Sequence, residues 1–328
     1  MDSKGRILLK RDLDGFLKKL TGHQIIAPVK KEIIRFERIK SSSEICFEGI
    51  ARYPVKEYVY PGKKSLFKFK DNEISEETTE GQKIAFFGLR LCDLNAFFIA
   101  DKFLLGRYPD EDYRKRREKI LLIGLNCEKP VDRFCFCSSM ELRHFYDLFF
   151  YDRGNYFHIK IGSEKGRELV KGLQEEEYLP KPLRCFVPLK TKDIGYYYDD
   201  PEWEKIADDC ISCGMCTNLC PTCFCFDIKD KVNLDLRSGE RRFEWDSCMY
   251  RDFTKVAGGE IFRKERLKRF KHRIYHKITY FKEDFGVYMC TGCGRCIRHC
   301  PTTIYWTGAI NHIYAEKMAL TQVKQKRL

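Results

Sequence analysis

The residues with the most chemistry to offer are cysteines, and two groups of them repeat. Cys210-Ile-Ser-Cys213-Gly-Met-Cys216-Thr-Asn-Leu-Cys220-Pro221 and Cys290-Thr-Gly-Cys293-Gly-Arg-Cys296-Ile-Arg-His-Cys300-Pro301 both read C-x2-C-x2-C-x3-C-P. Three thiolates at such intervals can wrap three corners of a [4Fe–4S] cubane, and Gly214 and Gly294 let backbone N–H groups approach the sulfurs. In two-cluster ferredoxins the fourth cysteine of one run ligates the other cluster. That rule assigns Cys210, Cys213, Cys216 and Cys300 to one cluster, and Cys290, Cys293, Cys296 and Cys220 to a second. Structural zinc is the rival, since eight cysteines also make two sites of four thiolates. Zinc motifs, however, present separated C-x2-C pairs, whereas triplets with a C-x3-C-P tail belong to iron–sulfur clusters.

The chain has 17 cysteines in 328 residues. Four of the remainder lie in three turns at strand ends: Gly88-Leu-Arg-Leu-Cys92-Asp93-Leu94, Gly124-Leu-Asn-Cys127 and Cys135-Phe-Cys137. Ligands of α/β sheets bind at strand C-terminal ends, so Cys92, Cys127, Cys135 and Cys137 can hold a third cluster. They can equally be small buried side chains, and the sequence leaves both open. Cys223-Phe-Cys225 echoes Cys135-Phe-Cys137 and is placed to cap or replace a ligand, while Cys46, Cys185 and Cys248 are expected to be structural. The odd number and the lack of an apolar leader point to a reducing cytoplasm, where closely spaced cysteines are ligands more often than disulfides.

These residues need a scaffold. Residues 1–200 read as an α+β or α/β domain, with short apolar strands at Lys83 to Gly88 and Lys119 to Gly124 around a helix from Leu91 to Leu105. Phe145 to Asp152 and Tyr156 to Ile161 flank Gly154-Asn155 as a hairpin, and Ser163 opens another helix. The polar stretch Ile194 to Trp203 is the expected linker. Residues 201–328 form the second domain. There a long insert separates Cys220 from Cys290, with a hairpin expected around Arg237-Ser238-Gly239-Glu240 and a helix from Glu260 to His276. Such long-spaced motifs resemble the α-helical ferredoxin fold of succinate-dehydrogenase-type and heterodisulfide-reductase-type iron–sulfur subunits.

Further strings carry a closer resemblance: Phe87-Gly-Leu-Arg-Leu-Cys92-Asp-Leu, Gly124-Leu-Asn-Cys127, Cys135-Phe-Cys137, Cys220-Pro-Thr-Cys223-Phe-Cys225-Phe, Trp245-Asp-Ser-Cys248-Met and Ala257-Gly-Gly. Together, in this order and from about residue 50 onward, the chain resembles the β subunit of cytosolic NiFe hydrogenases (sulfhydrogenases) and the A subunit of anaerobic sulfite reductase. It departs from them at Leu91, where the family usually has proline. The resemblance implies an electron-transfer subunit with two or more [4Fe–4S] clusters, beside a flavin- and NAD(P)-binding subunit and a catalytic redox module. The rival expectation is an N-terminal cluster that itself binds or reduces a small sulfur substrate.

Other functions are disfavoured. No G-x-G-x-x-G follows a strand and no G-x-x-x-x-G-K-[ST] occurs, so nucleotide and flavin sites are expected on another chain. Residues 1–45 hold no cysteine, which leaves no paired C-x2-C motifs for a nickel site. The formal charge is +13, and two cluster dianions lower it to about +9, three to about +7. The basic runs Arg114-Lys-Arg-Arg-Glu-Lys119 and Arg263-Lys-Glu-Arg-Leu-Lys-Arg-Phe-Lys271 lack interleaved aromatics and read as solvated helix faces or docking sites for acidic subunits rather than nucleic-acid binders. No apolar run is long enough to span a membrane. His272 and His276 read as solvated, while Arg295 and His299 are expected to tune a cluster by hydrogen bonding or to face solvent.

Overall fold

A computed structural model describes residues 4–76 and 81–325, with side chains as far as residue 319. The chain runs through β1 (Lys4–Leu9), α1 (Leu13–Lys18), β2 (Gln24–Lys30), β3 (Ile34–Arg38), β4 (Lys63–Lys70), β5 (Glu73–Glu76), β6 (Ile84–Leu89), α2 (Leu91–Leu104), α3 (Glu111–Glu118) and β7 (Ile120–Leu125). It continues with β8 (Leu148–Asp152), β9 (Tyr156–Ile161), α4 (Glu164–Leu169), β10 (Glu175–Glu177), α5 (Glu202–Asp208), α6 (Met215–Asn218), β11 (Phe226–Val232) and β12 (Ser238–Trp245). The last elements are α7 (Arg266–Tyr275), a π-helical turn (His276–Tyr280), α8 (Phe281–Phe285), α9 (Arg295–Arg298) and α10 (Trp306–Gln325).

Two compact units result. The first comprises residues 1–60, 78–138 and 142–186, and the second residues 61–77, 139–141 and 187–328. The units therefore do not follow a single cut near residue 200, because β4 and β5 are drawn into the second.

The first unit is built on an eight-stranded sheet of order β10-β1-β9-β8-β7-β6-β2-β3. Its centre, β2-β6-β7-β8, is parallel, with Ile84 opposite Ile120 and Ile123 opposite Leu148. Ile-Ala-Phe-Phe-Gly-Leu in β6 and Ile-Leu-Leu-Ile-Gly-Leu in β7 are buried at every position, as unbroken apolar runs must be when both faces of a sheet are covered. Phe150 receives Phe16, Phe87 and Phe157 in edge-on contacts at 5.2–5.6 Å between ring centroids, which locks β6, β8 and β9 into one core. Gly124 is required by close approach: a Cβ there would lie 2.3 Å from Phe149 and 2.7 Å from Leu94. The hairpin of β8 and β9 is as expected, with Ser163 capping α4 by accepting the Gly166 N–H.

The second unit carries an antiparallel sheet of order β11-β12-β4-β5 alongside its helices. The expected hairpin is β11 and β12, and β4 pairs with β12 from Lys63 opposite Glu244 to Lys70 opposite Ser238. The stretch Ile194 to Trp203 is not a linker. Ile194 and Trp203 are fully buried, the Trp203 indole donates to the Tyr197 carbonyl at 2.7 Å, and the Tyr275 hydroxyl donates to the Ile194 carbonyl at 2.9 Å. Aromatic residues in a polar-looking segment anchor it against α7.

Candidate iron–sulfur sites

The two C-x2-C-x2-C-x3-C-P runs fold alike. In each, the N–H two residues after the first cysteine points at its sulfur, Ser212 to Cys210 and Gly292 to Cys290, both at 3.4 Å. A left-handed glycine, Gly214 (φ 74°) or Gly294 (φ 71°), then starts a one-turn helix, α6 or α9. The Gly214 carbonyl accepts from Thr217 and Asn218, and the Gly294 carbonyl from Ile297 and Arg298, at 2.9–3.1 Å. A side chain at these glycines would meet the left-handed penalty, and at Gly214 a Cβ would also sit 2.7 Å from the Tyr250 hydroxyl. The sequence repeat is thus a structural repeat. It also extends one residue beyond the proline, because Thr222 meets the Cys220 sulfur at 3.3 Å and Thr302 the Cys300 sulfur at 3.5 Å.

One cavity is lined by Cys210, Cys213, Cys216, Cys296 and Cys300, with Met249, Phe270, Ile304 and Trp306 among its walls. Burial first, then Cys296, Cys210 and Cys213, push Cys216 up to about 11 against the opposing charge of Arg273. Cys290 and Cys293 are raised chiefly by burial, with Cys220 and Cys296 the neighbouring thiols. The thiols of the two runs therefore lie close together, with Cys296 and Cys300 beside the first triplet and Cys220 beside Cys290 and Cys293. Among the described residues no three His, Cys, Asp or Glu side chains come close enough to hold a single metal ion. Clustered thiols, N–H groups aimed at sulfur and a largely apolar lining fit a polynuclear iron–sulfur group.

The basic helix α7 is not a solvated face. Arg263, Lys264, Arg266 and Lys268 lie outward or half-buried, but Arg269, Lys271, Arg273 and Lys277 are buried. Arg273 donates to the Cys216 carbonyl at 2.9 Å, and although burial opposes its charge, Cys216, Cys296, Cys223 and Cys220 together hold it well above the ordinary arginine value. Arg269 donates to the Met249 carbonyl at 2.9 Å and reaches Ser212, while Lys271 sits 3.7 Å from the Tyr198 ring centroid. Arg269, Arg273 and Lys277 lie in the field of thiols as internal counter-charges, a role that a run of basic residues does not announce, whereas Lys271 faces Asp199 at 3.7 Å. His272 and His276, expected in solvent, are half-buried and stacked at 5.5 Å, and burial lowers each to about 4. Arg295 is fully buried beside Cys293. In the other run, α3, Arg117 turns inward to pair with Asp101 at 3.1 Å.

In the first unit, Cys92, Cys127, Cys135 and Cys137 converge. Cys127 is raised first by burial, with Cys135 and Cys185 nearby and Arg90 opposing; Cys137 lies in the field of Cys92 and Cys127. A fifth thiol joins them. Cys185, expected to be structural, stands 3.7 Å from Cys137, and its bond from Cys137 and those from Ser138 bring it down to about 6. Leu91 is the first residue of α2, the position where proline is best tolerated, and Asp93 caps the Arg90 N–H, so the turn forms without proline. Arg90 ties this turn to the carbonyls of Phe47, Gly49 and Asn126.

Cys248 is likewise not isolated. It is hydrogen-bonded to Cys225, and Cys223 to Cys220, so a string of thiols leads away from Cys220. Cys46 stands apart from these groups, donating to the Glu48 carbonyl at 3.2 Å.

Residues 209–304 match the 4Fe–4S dicluster domain family. Over 306 residues the chain is 31% identical to the sulfhydrogenase 2 subunit beta of Pyrococcus furiosus, spanning 86% of this chain and 89% of that one. The chain belongs to the family of sulfhydrogenase β subunits. This β-subunit homologue is a mixed α/β iron–sulfur protein with its 4Fe–4S dicluster domain towards the C-terminus. A stretch of 92 residues is also 28% identical to the F420-dependent formate dehydrogenase 1 subunit beta of Methanococcus maripaludis, 23% of this chain and 24% of that relative. No solved structure matches the chain. Among the described residues no helix is long and apolar enough to cross a membrane.

Proposed function

We propose that the chain is the electron-transfer subunit of a cytoplasmic multi-subunit oxidoreductase, working between a flavin- and NAD(P)-binding subunit and a catalytic module of the hydrogenase, sulfite-reductase or heterodisulfide-reductase-like kind. The observation that carries this is the gathering of Cys210, Cys213 and Cys216 with Cys296 and Cys300, five thiols from two runs far apart in the chain, around one cavity. Cys210, Cys213, Cys216 and Cys300 would hold one [4Fe–4S] cluster, and Cys290, Cys293, Cys296 and Cys220 the other, in an α-helical ferredoxin-like part of the second unit. A third iron–sulfur cluster would be held by Cys92, Cys127, Cys135 and Cys137 in the first, α/β unit, with Cys185 against it.

The clusters supply one-electron transfer. The chain's own residues set the conditions for it. Backbone N–H groups of Ser212 and Gly292 are aimed at ligand sulfurs, Arg273 and Arg269 balance the thiolate charge, and Phe270, Ile304 and Trp306 restrict water. Tagged chain purified anaerobically from its native cells tests the assignment. Recovery with a flavin-bearing subunit and a metal-bearing catalytic subunit is expected, and an iron-free protein that purifies alone would overturn it.

A further inference from the structure

The two sulfur sites share the threonine that follows Cys-Pro, but only one threonine is gripped from behind. Lys277, 3% exposed, donates from Nζ to the Thr222 hydroxyl oxygen and to the Thr222 carbonyl, both at 3.0 Å. An ammonium is a donor only, so Thr222 Oγ1 accepts from Lys277 and its single proton must go elsewhere. The Cys220 sulfur, 3.3 Å away, takes it. Cys223 adds a second contact to the same sulfur. Burial opposes the Lys277 charge, yet the thiols of Cys220 and Cys223 outweigh it and keep the ammonium protonated. At the other run Thr302 meets Cys300 at the longer 3.5 Å, and among the described residues no ammonium donates to Thr302.

We propose that Lys277 and Thr222 form a hydrogen-bond relay, as positioning residues, that raises the reduction potential of the cluster Cys220 helps to hold above that of its twin. Reduction adds negative charge to the cluster and its thiolates, and a donor fixed on a ligand sulfur favours the reduced form. A cation polarising that donor strengthens it, since hydrogen bonds in series reinforce one another in a low-dielectric interior. The relay makes the two clusters unequal although their ligand motifs are the same, and it directs the electron to the cluster completed by Cys220. This rests on the assignment of Cys220 to the second cluster proposed above.

The test is an anaerobic potentiometric titration of the full-length holoprotein followed by electron paramagnetic resonance, with iron counted first. Thr222→Val keeps the side-chain shape and removes the hydroxyl. One cluster's potential is expected to fall while the other stays, with Thr222→Ser restoring it and Lys277→Met producing a fall at the same cluster. Thr302→Val should lower the other cluster instead. Iron-loaded Thr222→Val with both potentials unchanged overturns the relay. Loss of iron in Thr222→Val but not in Thr222→Ser also overturns it, showing a hydroxyl needed for assembly rather than tuning. A wild-type protein without iron refutes the cluster assignment itself, which the iron count separates from failure of the relay.

Discussion

Acid should loosen the helix that carries the internal cations, through two histidines on its flank. His272 and His276 are half-buried, stacked at 5.5 Å, and lowered to about 4, chiefly by burial and then by Arg263 and, for His276, Lys277. In the unfolded chain each would titrate near the ordinary value of about 6.5. The folded value is depressed and the neutral ring is the one that folds, so the unfolded state binds more protons between about pH 6.5 and 4. Stability is therefore present above that window and lost as pH falls through it. Linkage with those two values gives about 2 kcal/mol per ring between pH 7 and pH 5, so up to about 4 kcal/mol for the pair. Residual solvent screening of half-buried rings brings this to about 2–4 kcal/mol. The assay is guanidinium unfolding at pH 7 and pH 5, followed by the fluorescence of the three tryptophans, of which Trp203 packs against Tyr275 of the same helix. The double variant His272→Gln, His276→Gln should lose about 2–4 kcal/mol less than the wild type over that interval. Equal losses in both proteins would refute the burial of these rings.

Three further outcomes follow from particular residues. Cys127→Ser should remove about four irons per chain and leave the two clusters of the C-terminal domain, as counted by iron analysis and electron paramagnetic resonance; unchanged iron would make the Cys92, Cys127, Cys135 and Cys137 group a packing feature. Gly214→Ala, at φ 74° and with the Tyr250 hydroxyl 2.7 Å from its Cβ, should cost about 1–2 kcal/mol and weaken retention of the cluster at Cys210, Cys213, Cys216 and Cys300 before the other. Trp203→Ala should cost about 3–5 kcal/mol in denaturant titration, because the indole is fully buried and hydrogen-bonded; a loss below about 1 kcal/mol would fit a linker instead.

What the sequence revealed depended on range. Lys83 to Gly88 and Lys119 to Gly124 were legible as strands because unbroken apolar runs have few other homes, and both are buried parallel strands shifted by one residue. The repeat was legible because ligand spacing is local. The pairing of β4 with β12 was not, since it joins segments from opposite halves of the chain through alternating charged residues with no local signature. Cys185 and Cys248 carry no neighbouring cysteine spacing, so only the fold brings them to Cys137 and Cys225. The charges of α7 misled for a physical reason. A basic helix usually marks solvent, but here Arg269 and Arg273 of α7, with Lys277 in the turn that follows it, face thiolate-rich sites where cations stabilise buried negative charge.

The most direct test of the central claim is the metal and acid-labile sulfide content of anaerobically purified protein, with electron paramagnetic resonance after reduction. A brown protein with about twelve irons and a matching amount of sulfide is predicted, about eight of those irons lost when Cys213 and Cys293 are replaced together. A colourless protein holding about two zinc ions and no sulfide would contradict it.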